Sequence, residues 1–359
     1  MTVKGVLMAG GKGTRLRPIT YSIPKPLVPV AGKPCIEYPL NSFNDADIKD
    51  IIITTGYKYE YLISGLLKNE RNKQNILFSV EREPAGTAGS VKLVHGFLDD
   101  TFVVGSGDIL FDFDIKAAIK NHEKSGKAAT IVLTEVEDPS QLGIVESTDG
   151  IVKRFLEKPS ASEVFSNKAN TGIYILEPEI LEHIPENETY DFGKQLFPKL
   201  LSEGVEINSW EGKGVWLDTG RPKELIAGSQ IMASRYGFEI KEKNINGSII
   251  MKERPIGDSY KINGNCYLGE NVKIGKETSV HNSMIYNGVE IGDNVKISDS
   301  IIFNGCRIDN ETELSGSVIM ENTSIGKKCI INRSALSSNL NIQNSSRIYD
   351  VSLSSNSSE

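Results

Sequence analysis

The chain has 359 residues, of which 39% are hydrophobic and 24% are charged, and its formal net charge is −7. This length predicts two domains, and the composition is that of an ordinary globular protein. The acidic balance argues against bulk binding of nucleic acid, which needs clustered basic side chains, but it allows a small phosphorylated ligand. No apolar run is long enough to span a bilayer, and the N-terminal run is too short for a signal peptide. We therefore expect a cytoplasmic protein that binds neither nucleic acid nor a membrane.

The first part of the chain alternates short apolar runs with helical patterns. The predicted strands are Val3–Met8, Ile51–Thr55, Ile76–Val80, Thr101–Val104 and Ala129–Val136, and the predicted helices are Tyr59–Lys68, Thr87–Leu98 and Ile115–Lys124. This alternation predicts an α/β fold with a parallel or mixed, Rossmann-like sheet that is covered on both faces. Ligands of such sheets bind outside the carboxyl ends of the strands, where Gly10–Gly13 and Asp108 are expected to lie.

The last quarter of the chain repeats with a period of 17 residues. Branched aliphatic residues recur in three columns, at Ile274, Ile291, Ile308 and Ile325, at Val280, Ile297, Leu314 and Ile331, and at Leu268, Ile285, Ile302, Ile319 and Leu336. Three apolar anchors in each period predict a three-sided coil of a parallel β-helix. In such a domain, neighbouring coils stack their anchors into one continuous core.

Two further columns hold small or β-branched residues, which suit the crowded corners of such a coil. Their members are Thr278, Val295, Thr312 and Cys329 in one column and Val272, Val289, Cys306 and Thr323 in the other. Cys306 and Cys329 are explained by their place in these columns. With Cys35 and Cys266 they form no zinc-binding or redox pattern, so we expect mostly buried thiols.

A glycine-rich loop, Gly10-Gly-Lys-Gly-Thr-Arg-Leu-Arg-Pro18, directly follows the first predicted strand. Glycines let backbone amides approach phosphate oxygens. The planar guanidinium group of Arg15 can donate two hydrogen bonds to one phosphate. Two prolines hold Lys25 on a stiff, extended segment, where its ammonium group is a suitable point charge for a phosphate. The spacing matches neither the dinucleotide-binding nor the P-loop pattern. By itself, the loop is compatible with a phosphate site or with a simple turn.

Together, this loop and Pro24-Lys25-Pro26 closely resemble the signature of the sugar-nucleotide pyrophosphorylases. Further motifs follow in the order typical of that family: Glu83-Pro-Ala-Gly-Thr-Ala-Gly89, Gly107-Asp108, Phe155-Leu-Glu-Lys-Pro159, Asn170-Thr-Gly-Ile-Tyr174 and Trp216-Leu-Asp-Thr-Gly220. The repeats resemble the left-handed β-helix of hexapeptide-repeat proteins. These resemblances imply a nucleotidyltransferase domain at 1–230, a helix and linker at 231–255, a left-handed β-helix at 256–348 and a flexible tail at 349–359.

The resemblance also implies roles for individual residues. Family members join a nucleoside triphosphate to a sugar 1-phosphate and release pyrophosphate, so catalysis is mainly positioning and charge neutralisation. The implied catalytic residues are Arg15, Lys25 and Lys158, and the implied Mg²⁺ ligands are Asp108 and Asp218. The implied nucleotide-binding residues are Ala9, Gly10, Gly11, Gly13, Thr14, Glu81, Gly86 and Thr87. The implied contacts to the sugar phosphate are Gly143, Glu157, Lys158, Asn170 and Gly172.

The nucleotide base is predicted from Glu81, since relatives that use uridine or thymidine triphosphates usually have Gln at this place. An ionised carboxylate only accepts hydrogen bonds, and guanine offers it two adjacent donors, N1–H and the 2-amino group. Uracil and thymine would place carbonyl oxygens against it. Gly86-Thr-Ala-Gly89 and Tyr190-Asp-Phe-Gly-Lys-Gln-Leu-Phe-Pro198 resemble the mannose 1-phosphate guanylyltransferase branch, which favours GTP and mannose 1-phosphate as substrates.

Several alternatives stay open at this point. Glu81 is also compatible with a solvated charge at a strand end, and the enzyme with a glucose-1-phosphate thymidylyl- or uridylyltransferase. The catalytic half is also compatible with a homologue that senses sugar nucleotides without turnover, although it keeps every expected phosphate and metal residue. Acyl transfer by His281 is disfavoured because the 17-residue coils contain no protruding loop. We expect the β-helix to mediate assembly of a homo-oligomer, a dimer or tetramer.

Overall fold

A computed structural model of the protein describes residues 3–67, 74–236, 249–257 and 259–354. The chain forms two compact units. Unit 1 comprises Met1–Gly11 and Cys35–Leu217, and unit 2 comprises Lys12–Pro34 and Asp218–Glu359. The predicted helix end at Lys68, most of the predicted linker (237–248) and the last residues of the predicted tail (355–359) lie outside the described residues.

Unit 1 is built on a nine-stranded sheet. In spatial order its strands are Asn75–Val80, Asp50–Thr55, Lys4–Ala9, Phe102–Ser106, Lys168–Leu176, Ala129–Glu135, Asn208–Glu211, Ile151–Glu157 and Gly143–Thr148. The first four strands pair in parallel, as their alternation with helices predicts. The fifth strand pairs antiparallel with both of its neighbours, and so does Ile151–Glu157. The sheet is therefore mixed, and the purely parallel alternative is excluded.

Helices accompany this sheet and share a core with it. Unit 1 contains the α-helices Glu37–Asp45, Tyr59–Leu67, Gly86–Lys92, Ile115–Ser125 and Phe197–Ser202 and the π-helix Phe192–Leu196. It also contains the 3-10 helices His95–Phe97, Ala161–Glu163 and Pro178–His183 and the short strand Ile109–Phe111. A second short strand, Trp216–Asp218, begins in unit 1, and its last residue belongs to unit 2. The predicted helix Thr87–Leu98 ends at Lys92 and is followed by a separate 3-10 turn. Leu93 and Phe97 are each 56% exposed, so the apolar pattern that suggested one long helix is not a buried stripe.

Unit 2 contains the β-helix predicted from the 17-residue period. All of its strands pair in parallel and form three sheets. One sheet consists of Ile249–Met251, Cys266–Leu268, Met284–Ile285, Ile301–Ile302, Val318–Ile319, Ala335–Leu336 and Ser352–Leu353. The second consists of Lys261–Asn263, Ser279–His281, Lys296–Ser298, Glu313–Ser315, Ile330–Asn332 and Arg347–Tyr349. The third consists of Lys273–Ile274, Glu290–Ile291, Arg307–Ile308, Ser324–Ile325 and Asn341–Ile342.

The interior of the β-helix holds all three predicted anchor columns and both corner columns, each buried. Polar members of the corners bond to neighbouring coils: Thr312 Oγ1 donates to the Gly326 carbonyl at 2.9 Å and accepts from the Cys329 amide at 3.2 Å. Left-handed backbone recurs at one corner every 17 residues, at Asn282, Asp299, Gly316, Arg333 and Asp350. Because each corner satisfies its own polar groups, the coils stack without loss of backbone hydrogen bonds.

One buried column of the β-helix was not identified from the sequence. Ser283, Ser300, Ser317 and Ser334 are all buried and are spaced by 17 residues. Each hydroxyl donates to the carbonyl two residues earlier in its own coil and accepts the amide 17 residues further on. This serine ladder joins successive coils through their side chains.

The remaining predictions for this part of the chain concern cysteine and histidine. All four cysteines are buried, as predicted. His281 is exposed, as predicted, and its Nδ1 and Nε2 lie 2.6 and 3.0 Å from side-chain atoms of Asn263 and Asn282. Among the residues that the structure describes, no helix has the length and apolar character needed to cross a membrane.

Two further pieces of unit 2 lie outside the coils. The first carries the 3-10 helices Thr14–Leu16 and Lys25–Leu27, the helix Ile19–Ser22 and a hairpin of Pro29–Val30 with Lys33–Pro34. The second is the helix Pro222–Tyr236, whose Gln230 side chain donates to the Asn282 carbonyl at 2.9 Å.

Candidate active site

Several predicted site residues of unit 1 lie at one edge of the sheet. The predicted residues Glu81, Gly10 and Asp108, together with Gly56, which was not predicted, follow the ends of four neighbouring parallel strands. Backbone hydrogen bonds continue past the strand ends: the Glu81 amide donates to the carbonyl of residue 55 at 2.7 Å, and the amide of residue 57 donates to Gly10 at 3.4 Å. The carboxyl ends of the strands therefore form a row with Glu81 at one side and Asp108 at the other, with Gly10 between them.

Glu81 is half-buried at the outer end of this row. Its Oε2 accepts a hydrogen bond from the Ala85 amide at 3.4 Å, and its Oε1 lies 3.4 Å from where a Cβ on Gly10 would stand. Burial raises the pKa of Glu81 above its ordinary value, and the Ala85 hydrogen bond opposes that shift. Glu81 is thus a partly desolvated acceptor beside the glycine loop, and it differs from a fully solvated charge.

Asp108 is half-buried at the other end of the row, immediately before the strand Ile109–Phe111. The Ser106 hydroxyl donates to Asp108 Oδ1 at 2.5 Å. This orienting contact was not predicted from the sequence.

The predicted nucleotide-binding residues Gly86 and Thr87 are tied to a distant segment. The Thr87 amide and hydroxyl both donate to Asp191 Oδ1, at 3.0 and 3.2 Å. The Ala88 amide donates to the Tyr190 carbonyl at 2.8 Å. Burial alone would raise the pKa of Asp191, but the hydrogen bonds from Thr87 and the nearby Lys194 hold it below its ordinary value. The segment 190–192, which the sequence marked only as typical of one branch, therefore supports the site directly.

The predicted sugar-binding residues are brought together. Gly143 pairs with Glu157 across an antiparallel ladder. Asn170 accepts a hydrogen bond from the Gly172 amide at 3.1 Å and donates to the Tyr174 hydroxyl at 3.0 Å. A Cβ on Gly143 would lie 2.6 Å from Glu157 Oε2 and 3.3 Å from Asn170 Cβ, so only glycine leaves room for both side chains.

Glu157 is the acidic residue at the centre of this cluster, and Gly193 leaves room for its carboxylate. Burial raises the pKa of Glu157, partly offset by the positive charges of Lys158 and Lys194. Gly193 approaches the carboxylate as closely as Gly143 does, and sequence analysis missed it as a site residue. Its place within the segment that starts at Tyr190 was the available signal. Lys158 itself is exposed, with a positive φ of 49°.

Two of the three predicted cations, Arg15 and Lys25, lie in unit 2 with one of the predicted metal ligands, whereas Lys158 lies in unit 1. Gly13 and Thr14 start a tight turn, in which the Leu16 amide donates to the Gly13 carbonyl at 3.0 Å. Arg15 Nη2 and Lys25 Nζ both contact Asp218, at 2.9 Å to Oδ2 and 2.7 Å to Oδ1. The Lys25 side chain is 5% exposed and that of Arg15 is 57% exposed. Sequence motifs 193 residues apart therefore meet in one ion-pair network.

The donor atoms suit a magnesium ion. Mg²⁺ prefers carboxylate oxygens and is usually held by one or two of them, together with water and substrate phosphates. Asp108 and Asp218 provide such carboxylates, one in each unit. No group of three or more His, Cys, Asp or Glu suited to a metal occurs within the described ranges. Each of these two carboxylates, taken by itself, thus suits a metal that takes its other ligands from water or phosphate.

The chain is similar to known proteins over most of its length. The family model for nucleotidyl transferase matches residues 4–235, and that for the GMPPB C-terminal domain matches residues 244–316. A mannose-1-phosphate guanyltransferase from Yarrowia lipolytica is 37% identical over 278 residues, covering 76% of this chain and 73% of its own.

Two solved structures are also similar. One is a putative glucose-1-phosphate thymidylyltransferase from Bacillus anthracis, with a TM-score of 0.59 and 27% identity over 67% of this chain and 98% of its own. The other is HddC from Yersinia pseudotuberculosis complexed with GMP-PN, with a TM-score of 0.55 and 28% identity over 64% of this chain and 99% of its own. The chain belongs to the nucleotidyl transferase family, in the group of sugar-nucleotide pyrophosphorylases.

Proposed function

We propose that the protein transfers guanylyl from GTP to mannose 1-phosphate with Mg²⁺, giving GDP-mannose and pyrophosphate. The observation that carries this proposal is the row formed by Glu81, Gly10 and Asp108 at the carboxyl edge of the sheet. Three strand spacings of about 4.8 Å separate its ends, roughly 14 Å in all. That span suits a nucleotide whose base lies at Glu81, whose phosphates follow the glycine loop and whose reacting end lies near Asp108.

Guanine is the base that best suits Glu81. A carboxylate accepts two hydrogen bonds side by side, matching the N1–H and 2-amino donors of guanine. The partial burial of Glu81 strengthens the preference for guanine. A desolvated carboxylate that faces the carbonyl oxygen of uracil or thymine lacks a hydrogen-bond donor, which costs binding free energy. The name of the guanyltransferase from Yarrowia lipolytica and the GMP-PN bound to HddC support the same base.

The reaction needs positioning and charge neutralisation more than proton transfer. A sugar-phosphate oxygen attacks the α-phosphorus of the nucleotide, a new oxygen–phosphorus bond forms, and the bond to the β-phosphate breaks as pyrophosphate leaves. The attacking oxygen is already anionic near neutral pH, so no general base is required. The protein's task is to hold two anions together against their repulsion.

Arg15 and Lys25 supply positive charge for the triphosphate and for the departing pyrophosphate. In the structure both cations contact Asp218, which compensates the charge of the buried Lys25 ammonium. A triphosphate carries more negative charge than one carboxylate and competes with Asp218 for these cations. Asp218 would then be one of the residues that hold the metal.

Members of this family generally use a divalent metal, and we assign Mg²⁺ to Asp108 and Asp218. When bound, the metal would neutralise phosphate charge. The Ser106 hydroxyl keeps Asp108 oriented through its 2.5 Å hydrogen bond.

The sugar phosphate is assigned to the cluster around Glu157. Glu157 and Asn170 offer acceptors and donors for sugar hydroxyls, with Gly143 and Gly172 providing room and backbone contacts. Lys158 is exposed and follows Glu157 directly, so its ammonium group is free to reach the phosphate of the sugar. A cytoplasmic location and a homo-oligomer, a dimer or tetramer, remain predictions.

Product identification tests the proposal. The full-length protein is incubated with GTP, mannose 1-phosphate and MgCl₂, and products are resolved by mass spectrometry. GDP-mannose with equimolar pyrophosphate is the expected result. Formation of dTDP- or UDP-glucose from the matching substrates, with no GDP-mannose, would instead identify a thymidylyl- or uridylyltransferase. Tight binding of a sugar nucleotide without any turnover would support a sensor.

A further inference from the structure

The segment that carries Arg15 and Lys25 belongs structurally to the β-helix unit. Residues 12–34 cluster with residues 218–359, although the whole of residues 35–217 lies between them in sequence. The residues immediately before and after this segment belong to unit 1. The β-helix is therefore physically connected to the signature loop, and its role can extend beyond assembly.

The connection is made by a tight hairpin. Pro29–Val30 pairs with Lys33–Pro34, and the two turn residues between them, Ala31 and Gly32, have φ values of 45° and 85°. Positive φ at both positions is the pattern of a type I′ turn. A left-handed conformation at Ala31 is unfavourable by itself and persists where the surroundings determine it. Ala31 is 6% exposed, so packing supplies that constraint.

Three aromatic rings of the β-helix form a row, and two of them, Tyr267 and Tyr286, contact this turn. The Tyr267 and Tyr286 ring centroids are 5.0 Å apart, and those of Tyr286 and Phe303 are 5.2 Å apart with nearly parallel planes. All three side chains are almost completely buried. Tyr267 lies between the interior residues Cys266 and Leu268, so strand alternation points its ring to the outer face of the sheet. We name Tyr267, Tyr286 and Phe303 the aromatic platform.

The turn fits this platform closely. The Gly32 amide donates to the Tyr286 hydroxyl at 3.3 Å. A Cβ at Gly32 would overlap the Tyr267 ring, so the backbone itself rests against the aromatic surface. A short 3-10 helix, Lys25–Leu27, leads from Lys25 toward the hairpin, and the Val28 amide donates to the Lys25 carbonyl at 3.0 Å. A shift of the hairpin is therefore passed to Lys25 through a stiff connection.

The partner of Lys25 is fixed to the same β-helix. Four residues after Asp218, the helix Pro222–Tyr236 begins. Its Gln230 side chain donates to the Asn282 carbonyl at 2.9 Å and to Asp299 Oδ1 at 3.1 Å. Both halves of the Lys25–Asp218 pair thus depend on coils of the β-helix for their position.

We propose that the aromatic platform is a positioning element of the active site: it sets the place of Lys25 and Arg15 through the Ala31–Gly32 hairpin. Tyr286 is the central positioning residue, because its ring contacts both neighbouring rings and its hydroxyl accepts a hydrogen bond from the turn. The kinetic part of this inference depends on the proposed guanylyl transfer. Its structural part, ordering of residues 25–34 by the platform, does not.

The test compares three full-length variants with wild type. Tyr286→Ala removes the central ring, and Tyr286→Phe keeps the ring without the hydroxyl. Ile331→Ala is the matched control, since Ile331 is fully buried in the β-helix interior and does not belong to the platform. Each variant is assayed below its melting temperature for turnover number and GTP KM, and amide hydrogen exchange is measured over residues 25–34.

Because displacing charged groups by about 1 Å costs up to about 100-fold in rate, we expect Tyr286→Ala to lower turnover at least about tenfold. Exchange in residues 25–34 should rise in the same variant. Tyr286→Phe should stay within about threefold of wild type, and Ile331→Ala should melt earlier with unchanged turnover and unchanged exchange in this segment. Wild-type exchange in Tyr286→Ala would overturn the inference. So would equal losses in Tyr286→Ala and Ile331→Ala, which would indicate general destabilisation. A wild-type protein without guanylyl transfer would refute the proposed function, while the exchange comparison would still decide the structural part.

Discussion

Replacing Glu81 with Gln tests how the base is recognised. The change keeps the size of the side chain and removes its charge, and Gln presents an amide donor where guanine also presents donors. A hydrogen bond to a charged group contributes about 1.5–3 kcal/mol, so kcat/KM for GTP should fall roughly 10- to 150-fold. The same variant should gain activity with UTP or dTTP, whose carbonyl oxygens accept the new donor. Pyrophosphate release with each nucleotide and mannose 1-phosphate measures both effects.

The structure predicts that this loss is specific to binding. Burial already raises the pKa of Glu81, which means that the folded state disfavours its charge, and the Ala85 amide that donates to it is 3.4 Å away. Removing the charge should therefore leave the melting temperature unchanged or slightly higher. Glu83→Gln is the matched control, since Glu83 is an exposed neighbour and its loss removes an equal charge. A Glu81→Gln enzyme that keeps its wild-type preference for GTP would refute the base assignment.

The raised pKa gives the same residue a pH signature. As pH falls through a pKa above the ordinary value of 4.5, Glu81 gains a proton and becomes a donor toward guanine. The wild-type preference for GTP over UTP should therefore decline in the acid range. In Glu81→Gln that preference should not change with pH over the same range.

Three further predictions concern the sugar site, the ion pair and the β-helix. Gly143→Ala should raise KM for the sugar 1-phosphate more than KM for GTP, because the new methyl group would displace Glu157. Initial rates at varied concentrations of the sugar phosphate measure this effect. An unchanged KM for the sugar phosphate would contradict the assignment. Asp218→Asn should weaken activation of the enzyme in a Mg²⁺ titration. It should also lower the free energy of unfolding by about 1–3 kcal/mol, because the buried Lys25 ammonium loses a charged partner. Wild-type values in both measurements would contradict this prediction. Ser300→Ala should cost about 1–3 kcal/mol in denaturant unfolding without changing kcat, since it breaks a buried ladder between coils, and a cost near zero would show that the ladder adds no stability.

The β-helix was predictable because its signal is local and repeated. One anchor such as Ile297 carries no information, but the same residue class every 17 positions does, and each coil repeats its neighbour's environment. The serine ladder has the same period and was equally visible in principle. It was missed because burial of a hydroxyl costs free energy unless the hydroxyl is hydrogen-bonded. Only the structure shows its acceptors, which are carbonyl groups of its own coil.

The individual residues of the site were predicted from the sequence, but the long-range hydrogen bonds that hold them in place were not. Strand order accounts for Gly10 and Asp108, because parallel strands end at one edge. The Thr87–Asp191 contact joins residues 104 apart, and the Gly32–Tyr286 contact joins residues 254 apart. No periodicity or local propensity encodes such pairs, so only the folded chain shows them. The mixed sheet is a similar case, since strand pairing beyond Phe102–Ser106 depends on topology.

The central claim is the choice of GTP and mannose 1-phosphate, and a competition assay tests it most directly. The wild-type protein receives GTP, ATP, UTP and dTTP together at equal concentration, with Mg²⁺ and a mixture of mannose and glucose 1-phosphates. Mass-resolved products then report the relative kcat/KM values in one reaction. We predict GDP-mannose as the main product at early times. A reaction dominated by UDP- or dTDP-glucose would contradict the account.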